Sequence, residues 1–226
     1  MLSSCNWLKS PFHSVEISAV LRHPHIVAQV ASTLQKLTGT RGLNDPLASE
    51  MALLARDLLK RRGEAGPVSL ALATGEDHDR LMRQASANAG KRLFIGMHKL
   101  GSTARPGALI PSEFAARAKS GPVQVLYTQP AGPLKNRHAR DYTAEAASYG
   151  VQLIHAKARP LHGKILVWGE DDAVITSLNW GSASVDPAFP LGEVGIHVHS
   201  SGIATDLYDR LTRIFPELLS RHEMAS

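Results

Sequence analysis

The stretch that most constrains the fold is Leu161–Ser184, with the sequence LHGKILVWGEDDAVITSLNWGSAS. It contains two apolar runs, Ile165–Trp168 and Ala173–Ile175, on either side of the acidic segment Gly169–Asp172. Short apolar runs separated by a polar turn are typical of a β-hairpin. The stretch therefore predicts two antiparallel strands that pack in the interior of a sheet.

Polar side chains stand at the open end of this predicted hairpin. His162 and Lys164 precede the first strand, and Ser177 and Asn179 follow the second. Each pair is spaced i, i+2, which places both side chains on the same face of an extended chain. An imidazole, a cation, a hydroxyl and an amide at one place suit an anionic phosphate, because the imidazole can react while the other groups neutralise charge.

This pattern resembles the signature of the phospholipase D superfamily, which is His-x-Lys, four residues, Asp, six residues, then Gly-Ser-x-Asn. The 18 residues from His162 to Asn179 keep that register without insertion or deletion. Two positions differ, since Gly169 stands where the family has Asp and Thr176 where it usually has Gly. Another His-x-Lys, at residues 155–157, has no matching Ser-x-Asn behind it.

The beginning of the chain repeats part of this stretch. Met1–Trp7 aligns with Val174–Trp180, and both contain Ser-x-Asn-Trp. Each copy continues with Glu and an aliphatic residue, at Glu16 and Glu193, and then with a predicted strand and an amphipathic helix. Such repetition is an architectural signal. The resemblance implies a pseudo-two-fold repeat with an incomplete first half, because the first copy starts at its Ser-x-Asn segment.

Hydrophobic periodicity predicts a chain in which helices and strands alternate. The predicted helices cover residues 25–37, 46–62, 76–89, 109–120, 141–149 and 203–215. The predicted strands cover residues 17–21, 68–74, 91–97, 123–127, 151–154 and 194–198, besides the hairpin. We therefore expect an α/β (α+β) fold, which by resemblance is a phospholipase D-like mixed β-sheet flanked by helices. Residues 1–62 would be the remnant of the first half with a helical connection, and residues 63–226 the second half.

The resemblance also implies a mechanism. In the family, two His-x-Lys motifs meet at one site, where one histidine forms a phosphohistidine and the other protonates the leaving oxygen and then activates water. No metal or other cofactor is needed. His162 would be one of the two catalytic histidines, and three side chains would hold the phosphate oxygens: Lys164, Ser177 and Asn179.

Further residues follow from the same resemblance. Glu193 matches the acidic residue that commonly orients a histidine of the site. The substrate-binding equivalents in the first copy would be Ser4, Asn6 and Glu16. In related proteins the loop after the predicted strand 91–97 can border the substrate cleft, which makes His98 and Lys99 second-tier candidates.

Composition, charge and the absence of other motifs narrow the classes of function that this sequence fits. The formal net charge is +5, which suits a polyanion such as nucleic acid. The single cysteine, Cys5, predicts a reducing, cytoplasmic setting, and no apolar run is long enough to span a bilayer. Neither a P-loop nor a Gly-x-Ser-x-Gly elbow is present.

The resemblance implies a metal-independent phosphodiesterase, and the basic charge favours nucleic acid over lipid as its substrate. With one complete His-x-Lys motif, we expect this chain to be weakly active or inactive as a monomer, unless a homodimer partner or a preceding segment supplies the other half. The alternative is a catalytically impaired module that binds nucleic acid or phosphate without cutting it.

Overall fold

The computed structural model of the protein describes residues 2–3, 13–38, 46–61, 67–101, 122–130, 139–157, 159–181 and 192–219. Every structural statement below concerns these residues. Ser4, Asn6 and the predicted helix at 109–120 lie outside them.

The part of the chain that the structure describes has nine strands in two sheets. Their bounds are β1 (Leu2–Ser3), β2 (Ser18–Ala19), β3 (Ser69–Thr74), β4 (Leu93–Leu100), β5 (Val123–Pro130), β6 (Val151–His155), β7 (Ile165–Trp168), β8 (Asp172–Thr176) and β9 (Val194–His199). β1 and β2 make a short antiparallel ribbon, and the other seven form a mixed sheet in the order β3-β9-β8-β7-β4-β5-β6. The strands β4, β5 and β6 are parallel, whereas the remaining neighbours in the large sheet are antiparallel.

Within the described residues, five α-helices flank the sheet. They are α1 (Pro24–Thr38), α2 (Pro46–Leu59), α3 (Asp77–Asn88), α4 (Ala139–Ser148) and α5 (Ile203–Ile214), with a 3₁₀ turn at Pro216–Leu218. None of the helices in the described ranges is long and apolar enough to cross a membrane.

Both faces of the large sheet are buried. Along β4, Leu93 and Ile95 belong to a core that includes residues of α3, whereas Phe94 belongs to a second core that includes residues of α5. Because successive strand residues point to opposite faces, a strand that is covered on both sides must be apolar at nearly every position. The predicted fold class, a mixed β-sheet flanked by helices, is confirmed.

The predicted hairpin is present, since β7 and β8 pair antiparallel with Ile165 opposite Ile175. The strand predicted at 91–97 is wrong at its end, because β4 continues to Leu100. Its ladder with β5 carries on through the pair Lys99 and Gln129, so two residues expected in a loop, His98 and Lys99, lie on the strand. The strand predicted at 17–21 is reduced to the two residues of β2.

Candidate active site

The open end of the β7–β8 hairpin holds His162 and Lys164 side by side, as their spacing predicts. The Nζ atom of Lys164 donates to the backbone oxygen of His162 at 2.7 Å and lies 3.3 Å from the Nε2 atom of its ring. Lys164 is only 7% exposed, and this burial lowers the pKa of its ammonium group, against the opposing effect of Glu16 and Glu193. The pair thus places a buried cation directly beside an imidazole.

A segment from the beginning of the chain, residues 13–17, runs alongside His162. The backbone N–H groups of His162 and Gly163 both donate to the Val15 oxygen, at 2.9 and 3.0 Å. In return the Val15 N–H donates to the Pro160 oxygen at 2.7 Å. These bonds hold the N-terminal segment against the residues that lead into β7.

The middle residue of His-x-Lys is Gly163, and the close packing of the N-terminal segment explains why it is a glycine. A Cβ atom on Gly163 would lie 2.7 Å from the Cδ1 atom of Ile17, well inside van der Waals contact. Glycine is the residue that lets a backbone approach another side chain this closely. The middle position of the motif is therefore set by packing against the N-terminal segment.

The packing of the N-terminal segment also brings Glu16 to His162, the candidate catalytic histidine. Its Oε2 atom accepts a hydrogen bond from the Nδ1 atom of His162 at 3.0 Å, and its Oε1 atom accepts one from the Ser14 hydroxyl at 2.9 Å. The His162 and Glu16 side chains are 26% and 14% exposed. With the proton held on Nδ1, the Nε2 atom carries the lone pair that can attack or accept a proton. The sequence placed Glu16 in the first copy but did not predict its bond to His162.

Ser177 lies on the other side of the hairpin opening, where it is tied to Glu193 and to the start of β9. Its hydroxyl donates to the Oε2 atom of Glu193 and accepts the Val194 N–H at 3.1 Å. Its own N–H donates to the Val194 oxygen at 3.0 Å. Glu193, which was expected to orient a histidine, has its carboxylate on this hydroxyl, whereas Glu16 orients His162.

Asn179 and Lys99 are linked through the end of β4. The Lys99 backbone N–H donates to the Oδ1 atom of Asn179 at 3.1 Å. Just beyond, the Gly101 N–H donates to the Gly181 oxygen at 2.6 Å. Because the Asn179 oxygen is engaged by backbone, its amide NH₂ group is the part available to donate to a ligand.

His98, a second-tier candidate, lies within the site. Its ring meets the His162 ring edge to face, with the centroids 4.8 Å apart. Its Nδ1 atom is 3.2 Å from the Leu161 oxygen, to which only a protonated nitrogen can donate. Burial lowers the pKa of His98, and the neighbouring His162, Lys164 and Lys99 act in the same direction.

The two departures from the family signature have different surroundings. Gly169 sits in the hairpin turn with a φ of 60°, and its N–H donates to the oxygens of Ala89 and Arg92, both at 3.0 Å. A left-handed conformation favours glycine. Four strand residues separate it from Lys164, so at about 3.3 Å per residue the two positions lie roughly 16 Å apart. Gly169 is therefore remote from the chemistry, whereas Thr176 lies directly beside Ser177.

The two copies of the repeat meet in space. β1 contacts β8, and the alignment of the copies matches β1 with the last two residues of β8.

Among the described residues, no three His, Cys, Asp or Glu side chains are grouped as a metal site. What the geometry assembles is an imidazole oriented by a carboxylate, flanked by a buried ammonium group, a hydroxyl and an amide. Such a set can bind an anion and deliver a nitrogen nucleophile to it.

The fold is similar to those of several solved structures, including a phospholipase D family member. That protein is Nuc from Salmonella typhimurium, at 12% identity and a TM-score of 0.49, with 66% of this chain and 92% of Nuc covered. NucT from Helicobacter pylori has 11% identity and a TM-score of 0.47, with 68% of this chain and 97% of NucT covered. Phosphatidylserine synthase from Haemophilus influenzae Rd KW20 has 13% identity and a TM-score of 0.41, covering 79% of this chain and 47% of the synthase. No protein-family model and no curated protein matches the sequence.

Proposed function

We propose that this protein is a phospholipase D-like phosphodiesterase that works through a phosphohistidine on His162. The observation that carries the proposal is the hydrogen bond from the Nδ1 atom of His162 to Glu16, beside the buried Lys164. This bond leaves Nε2 as the nucleophilic atom and supports the positive charge that the ring acquires when Nε2 bonds to phosphorus. Glu16 is thus a positioning residue, and His162 is the catalytic one.

In the first step, the Nε2 lone pair attacks phosphorus and the bond from phosphorus to the leaving oxygen breaks. In the second, water attacks phosphorus, the bond to Nε2 breaks, and its electron pair returns to the ring. Negative charge grows on the non-bridging oxygens in both steps. Three side chains would stabilise it: Lys164, Asn179, and Ser177 once its hydroxyl proton turns from Glu193 to a phosphate oxygen.

Both steps also move a proton. The leaving oxygen must gain one and the attacking water must lose one, and in the family a second motif histidine does both. We propose that a homodimer partner, or a segment that precedes residue 1, supplies this group. We also propose that residues 63–226 form the second phospholipase D-like half and that residues 1–62 are a remnant of the first, which contributes Glu16.

Nucleic acid is the substrate that we propose, in a cytoplasmic setting and without a metal or other cofactor. The net charge of +5 favours a long polyanion, which would be held by a salt-dependent attraction. A phospholipid is the competing diester. Cleavage assays in EDTA, with single-stranded DNA, RNA and phosphatidylcholine vesicles in parallel, separate these substrates and test metal independence.

The decisive experiment uses a diester whose leaving group needs no proton, bis(p-nitrophenyl) phosphate. The purified chain should release nitrophenolate in a burst and gain the mass of one nitrophenylphosphoryl group, stable to alkali and labile to acid. His162→Asn, which keeps a similar shape without the nucleophilic nitrogen, should give no adduct. If the wild-type chain forms no adduct, or His162→Asn forms it equally well, the nucleophilic role is wrong.

The second candidate is a phosphate-binding module that does not cut. One observation favours it: within the described residues, only His162 and Lys164 form a His-x-Lys pair joined to a carboxylate. Nucleic-acid binding that weakens steeply with salt, with neither an adduct nor turnover, would favour this candidate over the phosphodiesterase.

A further inference from the structure

His78, on the first turn of α3, is fully buried against the candidate site. Its Nε2 atom lies 2.7 Å from the Thr176 hydroxyl, and its Nδ1 atom lies 3.1 Å from the Gly75 oxygen. A carbonyl oxygen can only accept, so Nδ1 carries the proton. Nε2 is then the acceptor in the neutral ring. The Thr176 hydroxyl has a second acceptor within reach, the Val194 oxygen at 3.2 Å, but it lies closer to Nε2 and donates to it.

Thr176 connects this histidine to the site. It is 1% exposed, and its N–H donates to the Lys164 oxygen at 3.1 Å. Its hydroxyl oxygen also accepts the Leu178 N–H at 3.0 Å. One threonine is therefore bonded to the strand that carries Lys164 and to the turn that carries both Ser177 and Asn179.

The surroundings fit a threonine at this place. Gly195 lies opposite Thr176 in the β8–β9 ladder, and a Cβ on it would be 3.0 Å from the Thr176 Cβ and 3.1 Å from the His78 Nε2. Of the two acceptors near the buried Thr176 hydroxyl, His78 Nε2 at 2.7 Å is closer than the Val194 oxygen at 3.2 Å. His78, Thr176 and Gly195 thus form one complementary set exactly where the sequence departs from Gly-Ser-x-Asn.

We infer that His78 is a positioning residue, which fixes Thr176 and through it the turn that presents Ser177 and Asn179 to phosphate. The inference rests on the proposed function of those two side chains. Burial lowers the pKa of His78, opposed by the nearby carboxylates Glu193 and Asp77, which keeps the ring neutral and its Nε2 an acceptor near pH 7.

A matched set of variants separates this role from simple packing. In His78→Gln the amide oxygen can take the place of Nε2 and still accept from Thr176. In His78→Asn the shorter side chain keeps a donor near Gly75 but does not reach Thr176. Thr176→Ser keeps the hydroxyl, whereas Thr176→Val removes it and keeps the shape.

The measurements are made on the full chain with inorganic phosphate as the probe, followed through the backbone amide NMR signals of Ser177 and Asn179. His78→Gln and Thr176→Ser should bind phosphate within about 3-fold of wild type. His78→Asn should lose about 10-fold, the equivalent of one hydrogen bond, and Thr176→Val should lose at least as much because it also removes the bond from the Leu178 N–H. The double variant His78→Asn/Thr176→Val should lose no more than Thr176→Val alone, because both substitutions remove the bond between His78 and Thr176.

A readout without phosphate tests the inference independently. Long-range ¹H–¹⁵N spectra should show a neutral His78 with the proton on Nδ1. Acidification should shift the Ser177 and Asn179 amides together with the His78 titration in wild type, but not in His78→Gln. A proton on Nε2 instead, or a folded His78→Asn that matches His78→Gln in these signals, would overturn the inference. Wild-type chain that binds no phosphate would instead count against the proposed function.

Discussion

Glu16 and Glu193 occupy equivalent places in the two copies of the repeat, but the structure gives them different partners. Glu16 accepts from the Nδ1 atom of His162, across the interface between the copies. Glu193 accepts from the Ser177 hydroxyl, within its own copy. In the proposed function the first arrangement would prepare a nucleophile and the second would hold a hydroxyl for the phosphate oxygens, so aligned positions have different partners.

Glu16 and Glu193 have different partners because different side chains lie next to them. In a pseudo-symmetric pair, a carboxylate that crosses to the other copy needs a histidine there. Glu16 meets His162 of the other copy, at 3.0 Å from its Nδ1 atom. Glu193 stays with Ser177, and its charge lies within reach of both Lys164 and His78.

Replacing each carboxylate in turn by its amide tests this comparison most directly. Of the changes considered, this one should have the largest effect on the rate of adduct formation. Glu16→Gln keeps an acceptor for His162 but removes the charge that supports a positive ring. We expect adduct formation from bis(p-nitrophenyl) phosphate to slow by about 10²-fold. Glu193→Gln should slow it by less than about 10-fold. Equal losses in the two variants would show that the carboxylates act alike.

A second test of the comparison changes Gly163, the glycine against which the N-terminal segment packs. Gly163→Ala should destabilise the fold by about 1–3 kcal/mol through the clash with Ile17, and should slow adduct formation about 10-fold by shifting Glu16. Urea unfolding and the burst rate measure the two effects. Ile17→Ala in the same chain makes room for the added methyl group and should restore part of the rate. A rate for Gly163→Ala alone that equals wild type would contradict the role of this contact.

The pH dependence of stability is a further test, because two histidines of the candidate site, His78 near Glu193 and His98 beside His162, have shifted pKa values. Burial lowers the pKa of both His98 and His78. Below the unfolded value of about 6.5, the unfolded chain binds more protons than the folded one, so stability is present above that pH and is lost on acidification. The slope should reach at most about 1.4 kcal/mol per pH unit for His78, and less for the more solvent-screened His98.

Urea unfolding between pH 5 and pH 7.5 measures this slope. Replacing His78 with Gln should flatten the profile more than replacing His98 with Gln. A steeper profile in either variant, or stability that rises on acidification in wild type, would contradict the assignment.

The smallest effect is expected at Gly169, which lies beside neither carboxylate. Gly169→Asp restores the residue of the family signature but places a side chain at a φ of 60°. We expect a loss of about 1 kcal/mol in stability and a burst rate within about 2-fold of wild type. A large gain in rate would mean that the motif aspartate acts on the chemistry over this distance.

Local pattern predicted the parts of the site that depend on short spacing. The hairpin and the pairing of His162 with Lys164 both follow from residues close in sequence. The alternation of helices and strands was also readable, because periodicity reports which face of each element is buried.

Long-range contacts were not predictable in the same way. The bond between Glu16 and His162 joins residues 146 positions apart, and that between His78 and Thr176 joins residues 98 apart. No sequence motif near His78 indicates a functional role, because its neighbours predict only the acidic first turn of a helix. His98 was expected in a loop because strand ends depend on the partner strand, and β5 extends the ladder beyond the apolar run.

The crossing of Val15 over His162 and Gly163 has a consequence for how the chain acquires its chemistry. The large sheet is held by continuous ladders and two buried cores, and the crossing adds the backbone bonds that join Val15 to Pro160, His162 and Gly163. Proteins open locally as well as globally, and a segment outside the main ladders can open at a lower free energy than the core. We therefore expect that local opening of this crossing would separate Glu16 from His162 while the large sheet stays folded.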